Sequence, residues 1–448
     1  WRRADEYWNA RGGSYTDGGA FLFDVRPTEN GDSELVMTNK FGDVVDTHPS
    51  GDCKLMPAAD ESPLELAKMD SNLAYFAVLE ALPHMDWSEA LATLETIEAN
   101  SASAGREWVW DLLTRLLDRR YDTGGLRRSL WLDFVDAALT RTLASATHEP
   151  CDGFVGQRTL GHRPEPASDS QRIVIDARPY PPEGTESLAL EMVSLNHVGW
   201  KRFVLLHCRG HRFIGNGFGP DTSDVRIDVF GAVGDYLGSG SDGMKVHMHG
   251  NAQDQVAQIH KSGELVVHGD VGQCYGYGAK GGRLFVQGNA AGRPMINAVG
   301  SPKLVINGTA LDYLAESFMA GDPLDGGGFV IINGMRFDER GEPEALETPY
   351  PGGNLFSLAS GGAIYVRDPH ERLSDSQLNG GAFTDMTEED WAVVEPMLRR
   401  NEEHFGIPLQ RLLTVDGEVM SPAEVYRKII PVKSKTLHAE AAWAGHHD

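Results

Sequence analysis

One short pattern recurs along the middle of the chain and constrains the fold more than any other feature. Short runs of β-branched and apolar residues each end in a glycine, and the first five glycines are spaced by 19, 19, 19 and 20 residues. A unit of this length cannot bury its own apolar face, so it is stable only when it stacks on neighbouring copies. The glycines that close the copies are Gly231, Gly250, Gly269, Gly288, Gly308 and, after an insertion, Gly334.

Alignment of the copies places apolar residues in two columns that point to one side of the strands, as a period of two requires. The repeat predicts a parallel β-helix, or β-solenoid, with turns of about 19 residues, in which the closing glycines supply positive φ at the turns. A propeller or a sandwich is less favoured because its strands alternate in direction. The two columns are Val246, Leu265, Leu284 and Leu304, and Met248, Val267, Val286 and Ile306.

The regions on either side of the repeat lack its glycine-ended strands and carry helix signals instead, so we predict an α+β multidomain chain. Ser62-Pro63 resembles a helix start before residues with helical spacing, and Thr387-Glu-Glu-Asp390 resembles a capping box. Further helices are predicted at about 87–100, 106–119 and 127–147. The predicted parts are an irregular segment at 1–60, an N-terminal α-helical domain at 61–150, a linker at 151–170, the parallel β-helix at 171–368 and a helical C-terminal tail at 369–448 that caps it.

Charge and cysteine content narrow the choice of partners and compartment. The chain carries 40 Lys+Arg and 65 Asp+Glu, a formal net charge of −25, which repels phosphate backbones and anionic lipid surfaces. No apolar run reaches the ~18 residues of a membrane-spanning helix, and the first residues do not resemble a secretory leader. The four cysteines form no C-x-x-C pair. We therefore expect a cytoplasmic protein that binds neither nucleic acid nor membrane.

Three histidines are the candidate metal ligands. His247 and His249 project from one face of a strand, and His268 falls one repeat later in the column of His249. Such a cluster could hold zinc or nickel. We favour a polar column that is hydrogen-bonded along the stack, and so predict no metal site, because no carboxylate or cysteine follows at ligand spacing. Gln287, Asn307 and Asn333 continue the column.

Two other features of the sequence are candidate binding sites. Gly215-Asn-Gly217-Phe-Gly219 follows a strand, but a dinucleotide site also needs a helix directly after the glycines, and Pro220 leads into another strand. No catalytic residue and no cofactor-binding residue is predicted from spacing. The insertions that interrupt the repeat are candidate surfaces for a partner, with Tyr350 as an aromatic anchor and Asp322 and Asp325 beside it.

Several glycine pairs carry a resemblance to a known family. The segments Gly231-Ala-Val-Gly234 and Gly269-Asp-Val-Gly272, with Gly281-Gly282, resemble the GXGXG domain over roughly residues 171–370. That right-handed β-helix forms the C-terminal domain of the glutamate synthase large subunit and also occurs in one of the subunits of formylmethanofuran dehydrogenase. The chain departs from glutamate synthase because it has no N-terminal cysteine nucleophile, no FMN-binding barrel and no cysteine cluster.

The resemblance implies a non-catalytic scaffold subunit of a multi-subunit, glutamate synthase-like oxidoreductase complex. This chain would then bind no cofactor, and flavin, iron–sulfur or molybdenum/tungsten centres would lie on partner subunits. A second hypothesis is a glutamate synthase component that joins separate amidotransferase and synthase chains. A third is a metal-dependent enzyme that uses the histidine column together with the helical domain.

Overall fold

The computed structural model describes most of the chain, with gaps before residue 64, between residues 145 and 161, and after residue 432. The described residues are 21–27, 33–39, 44–49, 64–145, 153–157 and 161–432. The helix start predicted at Ser62-Pro63 lies outside them. Near the N-terminus, three antiparallel strands form a small sheet, namely β1 (Phe21–Pro27), β2 (Ser33–Asn39) and β3 (Val44–Pro49).

Four helices follow, and side chains fix where two of them begin. These helices are α1 (Ser71–Ala81), α2 (Trp87–Ala99), α3 (Arg106–Asp118) and α4 (Arg128–Ala144). The Asp70 carboxylate accepts hydrogen bonds from the first backbone amides of α1, and Asp86 and Glu89 form a capping box at the start of α2. Three of the helices agree closely with the predicted helices at 87–100, 106–119 and 127–147.

A twelve-stranded mixed sheet dominates the rest of the molecule. Ten neighbouring strands run parallel and follow chain order, and two antiparallel strands from the C-terminal region complete the sheet. Its strands are β4 (Phe154–Gly156), β5 (Arg172–Asp176), β6 (Arg202–His211), β7 (Arg226–Val233), β8 (Asp242–His249), β9 (Ser262–Val267), β10 (Arg283–Val286), β11 (Lys303–Ile306), β12 (Phe329–Ile332), β15 (Ala363–Arg367), β19 (Tyr426–Pro431) and β16 (Gly381–Thr384).

Short hairpins and further helices accompany this sheet. The hairpins are β13 (Met335–Phe337) with β14 (Pro343–Ala345), and β17 (Thr414–Val415) with β18 (Glu418–Val419). The helices are α5 (Leu188–His197), α6 (Glu388–Phe405), α7 (Leu409–Leu413) and α8 (Pro422–Val425). None of the helices in the described part of the chain is long and apolar enough to cross a membrane.

The register of the parallel strands matches the alignment of the repeats. Val246 lies opposite Leu265, which pairs with Leu284, which pairs in turn with Leu304. Both predicted columns belong to one core on one face of the sheet, where side chains from the connecting segments cover them. The alternate residues, such as Val266, Phe285 and Val305, are just as buried on the opposite face. Strands buried on both faces are typical of parallel sheets.

Helices from both flanking regions cover that opposite face. α1 to α4 pack over its first strands, where the ring of Trp110 lies 5.8 Å from that of Phe154 and 5.4 Å from that of Phe230. α6 and α7 pack over the later strands, around Phe285 and Tyr365. Both faces of the sheet therefore lie in hydrophobic cores built from distant parts of the chain.

This arrangement corrects the predicted fold class. The prediction was a right-handed parallel β-helix flanked by a helical domain and a helical tail. The strands form one large, mostly parallel mixed sheet with helices packed on it, and the C-terminal region adds the antiparallel strands β16 and β19. The physical reason is that the repeat specifies how each strand pairs with its neighbour. It carries no information about non-repeated segments that extend or cover the sheet.

The closing glycines are needed for a reason that differs from the prediction. Gly231 and Gly334 have positive φ, but Gly250, Gly269, Gly288 and Gly308 do not. A Cβ atom on Gly269 would lie 2.2 Å from Oδ1 of Asn251 and 2.7 Å from the carbonyl oxygen of Gly250. Close approach of the preceding repeat therefore excludes a side chain there.

Candidate functional site: a buried histidine and carboxylate cluster

The structure brings the predicted histidines together with carboxylates that are distant in sequence. Asp118 is the last residue of α3, His249 ends β8, and His268 follows β9. Nδ1 of His249 lies 2.9 Å from Oδ1 of Asp118, and Nε2 of His268 lies 3.5 Å from Oδ2 of the same carboxylate. The imidazole rings of His249 and His268 stack with their centroids 5.4 Å apart. The cluster therefore joins the helical region to the sheet.

His249 is held between two carboxylates. Its other nitrogen, Nε2, lies 3.3 Å from Oδ1 of Asp228, and Arg226 donates two hydrogen bonds to Asp228 at 2.7 and 2.8 Å. Burial by itself lowers the pKa of His249, but Asp118 and then Asp228 outweigh it and raise the pKa to about 9. His249 is therefore a buried cation at neutral pH.

His247 and His268 have the opposite electrostatic character. Burial is the largest influence on both and lowers the pKa of His268 to about 3, against the opposing effect of Asp118. The pKa of His247 falls well below its usual value for the same reason. Both rings are neutral at pH 7 and can offer a lone pair. Neither nitrogen of His268 makes a hydrogen bond to a described residue.

A second group lies beside the first. Oε1 of Glu264 on β9 is 3.3 Å from Nε2 of His404 on α6, and the ring of His404 lies 5.5 Å from that of His247. Arg400 donates to both Glu264 oxygens, at 2.6 and 3.1 Å. Burial raises the pKa of Glu264, but His404 and Arg400 outweigh it and hold the pKa well below its usual value.

The remaining polar residues of the column hydrogen-bond to flanking segments. Gln287 donates to the backbone oxygen of Asp118 at 2.8 Å. Asn307 and Asn401 of α6 exchange two hydrogen bonds of 2.9 Å, and Asn307 also accepts one from Asn333. Tyr426 of β19 donates to Asn333 at 2.8 Å. The polar column is therefore bonded to both flanking regions.

In the described part of the chain, two sets of three side chains have the composition and spacing to hold a metal ion. The first is Asp118, His249 and His268, and the second is His247, Glu264 and His404, with all donor atoms of a set within 4.8 Å of one another. The repeat predicts the three histidines of these sets but not Asp118, Glu264 or His404. Asp118 and His249 lie 131 positions apart in the chain, so no local spacing could connect them.

The predicted partner-contact residues occupy different environments. The Tyr350 side chain is buried, and its hydroxyl donates to the Gly353 carbonyl at 3.0 Å, so its ring is not presented at the surface. Asp322 and Asp325 are exposed at a short 3-10 helix, Pro323–Asp325. The tip of the β13–β14 hairpin lies against the helical region, since a Cβ on Gly341 would be 2.2 Å from the Tyr121 amide nitrogen.

The glycine-rich segment considered for nucleotide binding has an unusual backbone. Gly215, Gly217 and Gly219 all have φ near +80°. The same alternation of left-handed residues recurs in later connecting segments, where it includes side chains such as Gln255, Ala257 and Ile259. A small pocket of about 210 Å³ lies beside the three glycines, next to Lys261. A G-X-G-X-G spacing is thus the sequence sign of a backbone that turns left-handed at every second residue.

Comparisons with known proteins match the part of the chain that contains these segments. A family model described as the GXGXG motif matches residues 206–421. An uncharacterized protein of Methanocaldococcus jannaschii is 30% identical over 213 residues, which cover 46% of this chain and 75% of that protein. The chain belongs to the GXGXG motif family. This family relates to glutamate synthase-like proteins, and the predicted resemblance to it is confirmed.

The GXGXG match and the histidine cluster overlap only in part. His249, His268, Glu264 and His404 lie within residues 206–421, whereas Asp118 lies in the helical region before them. The first metal-capable set therefore combines the GXGXG region with a segment outside it.

Proposed function

We propose that this GXGXG chain is a scaffold subunit of a multi-subunit, glutamate synthase-like oxidoreductase complex. In this proposal, partner subunits carry the flavin, iron–sulfur or molybdenum/tungsten centres, and the chain fixes the distances between them. The complex works in the cytoplasm, where the thiols of Cys208 and Cys274 stay reduced. The family relationship and the rigidity of the sheet support this role.

The sheet is long, and buried hydrogen bonds make it rigid. Twelve strands about 4.8 Å apart span on the order of 50 Å. Both faces of the sheet are covered, and the buried column with Asn307 and Asn333 is bonded to α6 and β19. Such a body can hold two partners at a fixed separation because its parts cannot shift without breaking buried hydrogen bonds.

The observation that carries the proposal is an exposed apolar patch beside the repeat insertions, formed by Met319, Leu324 and Leu358. These side chains are 48%, 43% and 78% exposed. Backbone hydrogen bonds join the segments of Met319 and Leu358, from the Ser317 amide to the Ser357 carbonyl and from the Ser360 amide to the Phe318 carbonyl. The Gly328 amide donates to the Ala320 carbonyl and so holds the insertion with Leu324 against the Met319 segment. An apolar patch bordered by charged residues, here Asp322 and Asp325, is typical of a protein-binding surface.

The test is co-purification from the source cells with a change in this patch. We expect Leu358→Lys to lower recovery of the partner subunits at least tenfold, because it places a charge in a desolvated contact. Leu190→Lys on α5, where the leucine is 50% exposed, is the matched control and should leave recovery unchanged. Equal recovery with both variants would contradict the role of the patch.

A further inference from the structure

We propose that Asp118, His249 and His268 form a binding site for a divalent metal ion of the zinc class, at the junction of the helical region and the sheet. Imidazole nitrogen and carboxylate oxygen are ligands that zinc commonly takes in proteins. Ligand bonds of roughly 2.0–2.1 Å in tetrahedral geometry place donor atoms about 3.3 Å apart. Nδ1 of His249 and Nε2 of His268 lie 3.0 and 3.5 Å from the same oxygen, Oδ2 of Asp118, and these separations bracket that value.

The state of His268 points independently to a ligand. Its side chain is 4% exposed, and both ring nitrogens are buried with no hydrogen-bond partner among the described residues. A buried polar atom without a partner destabilises the folded protein, so such atoms are rare in native structures. Nε2 faces Asp118, and coordination of an ion there would satisfy it.

The hydrogen-bonding partners of His249 are those that usually orient a metal-bound imidazole. A ligating histidine usually donates its other ring N–H to a carboxylate, and Nε2 of His249 faces Asp228, which Arg226 fixes through two hydrogen bonds. On binding, the ion would take the place of the proton on Nδ1 of His249. Asp118 ends α3, and the negative end of a helix favours a cation.

The second set of three residues is a weaker candidate. Both oxygens of Glu264 already accept hydrogen bonds from Arg400, and Arg283 lies 3.2 Å from Oε2. Two guanidinium groups leave that carboxylate little capacity for a metal cation. Asp118, in contrast, has only histidine side chains within ion-pair distance among the described residues. The first set therefore holds the ion.

The experiment measures metal on the isolated full chain. Elemental analysis after dialysis against Zn²⁺ should give close to one ion per chain, and substitution with Co²⁺ should give the visible absorption of a tetrahedral centre. His268→Asn should weaken Co²⁺ binding at least tenfold. His211→Asn is the control, because His211 is also buried but hydrogen-bonds to the Tyr180 carbonyl and the Arg209 amide, away from the site.

Asp228→Asn provides a second variant that keeps all three ligands, and we expect about a 10–100-fold loss of affinity from it. Circular dichroism checks that each variant is folded. A folded wild-type chain that takes up no stoichiometric Zn²⁺ and shows no Co²⁺ band would overturn the proposal, as would equal affinities for wild type and His268→Asn. Because no partner subunit is needed, this result is independent of the scaffold proposal.

Discussion

Gly269 shows how little space separates consecutive repeats at the level of single residues. Replacement by alanine would place a methyl group 2.2 Å from Oδ1 of Asn251 and 2.7 Å from the Gly250 carbonyl oxygen, and the latter is backbone that cannot move aside cheaply. We expect Gly269→Ala to lower the free energy of unfolding by about 1–3 kcal/mol. The midpoint of urea denaturation measures the change.

Gly125→Ala is the matched control for this change. Gly125 has ordinary φ and no atom within 4 Å of the position where a Cβ would lie. Its replacement should leave the denaturation midpoint unchanged or slightly raised, since alanine restricts the unfolded chain. Equal destabilisation by the two alanines would show that close approach is not the reason for glycine at residue 269.

Asn401 is a second residue with a measurable role. It is fully buried and exchanges two 2.9 Å hydrogen bonds with Asn307. Asn401→Leu keeps a similar volume but leaves the Asn307 amide short of a partner, so we expect a loss of about 1–3 kcal/mol in the free energy of unfolding. Arg399→Leu, at a side chain that is 62% exposed on the same helix, should change it by less than about 0.5 kcal/mol. Thermal and urea denaturation compare the two variants.

The sequence predicted one half of the cluster and not the other. The column of His249, His268, Gln287, Asn307 and Asn333 follows from the repeat, because side chains at equivalent positions of parallel strands lie on one line. Asp118 and Asn401 belong to helices outside the repeat. Asp118 lies 131 positions from its partner His249 in the chain, and Asn401 lies 94 positions from its partner Asn307. Their placement depends on how whole helices pack, which local spacing does not specify.

Helix α6 shows how a single element is anchored to the sheet. Asp390, in its predicted capping box, accepts hydrogen bonds from Thr387 and from the Tyr365 hydroxyl and lies 2.7 Å from Nζ of Lys428. Burial raises the pKa of Asp390, but Lys428 and these hydrogen bonds outweigh it and leave the pKa below its usual value. A carboxyl with a depressed pKa stabilises the fold above its unfolded pKa and loses that effect as the pH falls.

The pH dependence of Asp390→Asn tests this assignment of charge. At pH 7 the variant should unfold at a lower temperature than the wild type because the ion pair with Lys428 is lost. The difference should narrow as the pH falls below about 4, near the pKa of an unfolded aspartate, because the unfolded wild-type chain then binds a proton that Asp390 in the folded chain, with its lower pKa, does not yet bind. Thermal unfolding curves between pH 7 and pH 3 measure the difference. A gap that stays constant throughout would contradict the assigned charge.

Elements were predicted well where local signals are strong. α2, α3 and α4 begin and end within a few residues of their predicted bounds, because apolar spacing and caps act within one helix. The region after residue 368 was expected to be helical, yet Gly381–Thr384 and Tyr426–Pro431 are strands of the large sheet. Those two segments become strands by pairing with β15 and with each other, and tertiary pairing of that kind overrides local propensity.

On the scale of the whole molecule, the repeat predicted the parallel register but not the fold class. Neighbour pairing from β7 to β12 follows the aligned copies, since a shift of one residue would move the apolar columns to the opposite face of the sheet. The mixed twelve-stranded sheet and its helical covers arise from segments with no repeat. The residues that alternate with the two columns, such as Val266 and Phe285, are also apolar. In the sequence they were the one indication that the second face of the sheet is covered too.

In the proposed complex, the GXGXG chain organises partners that carry the redox centres. The decisive measurement is purification of the native chain from its own cells, followed by separation of the subunits and assay of flavin, iron and molybdenum or tungsten in each fraction. A scaffold role predicts stable co-purifying subunits that retain these centres after separation from this chain. Recovery of the chain alone, with no cofactor-bearing subunit at any stage, would contradict it.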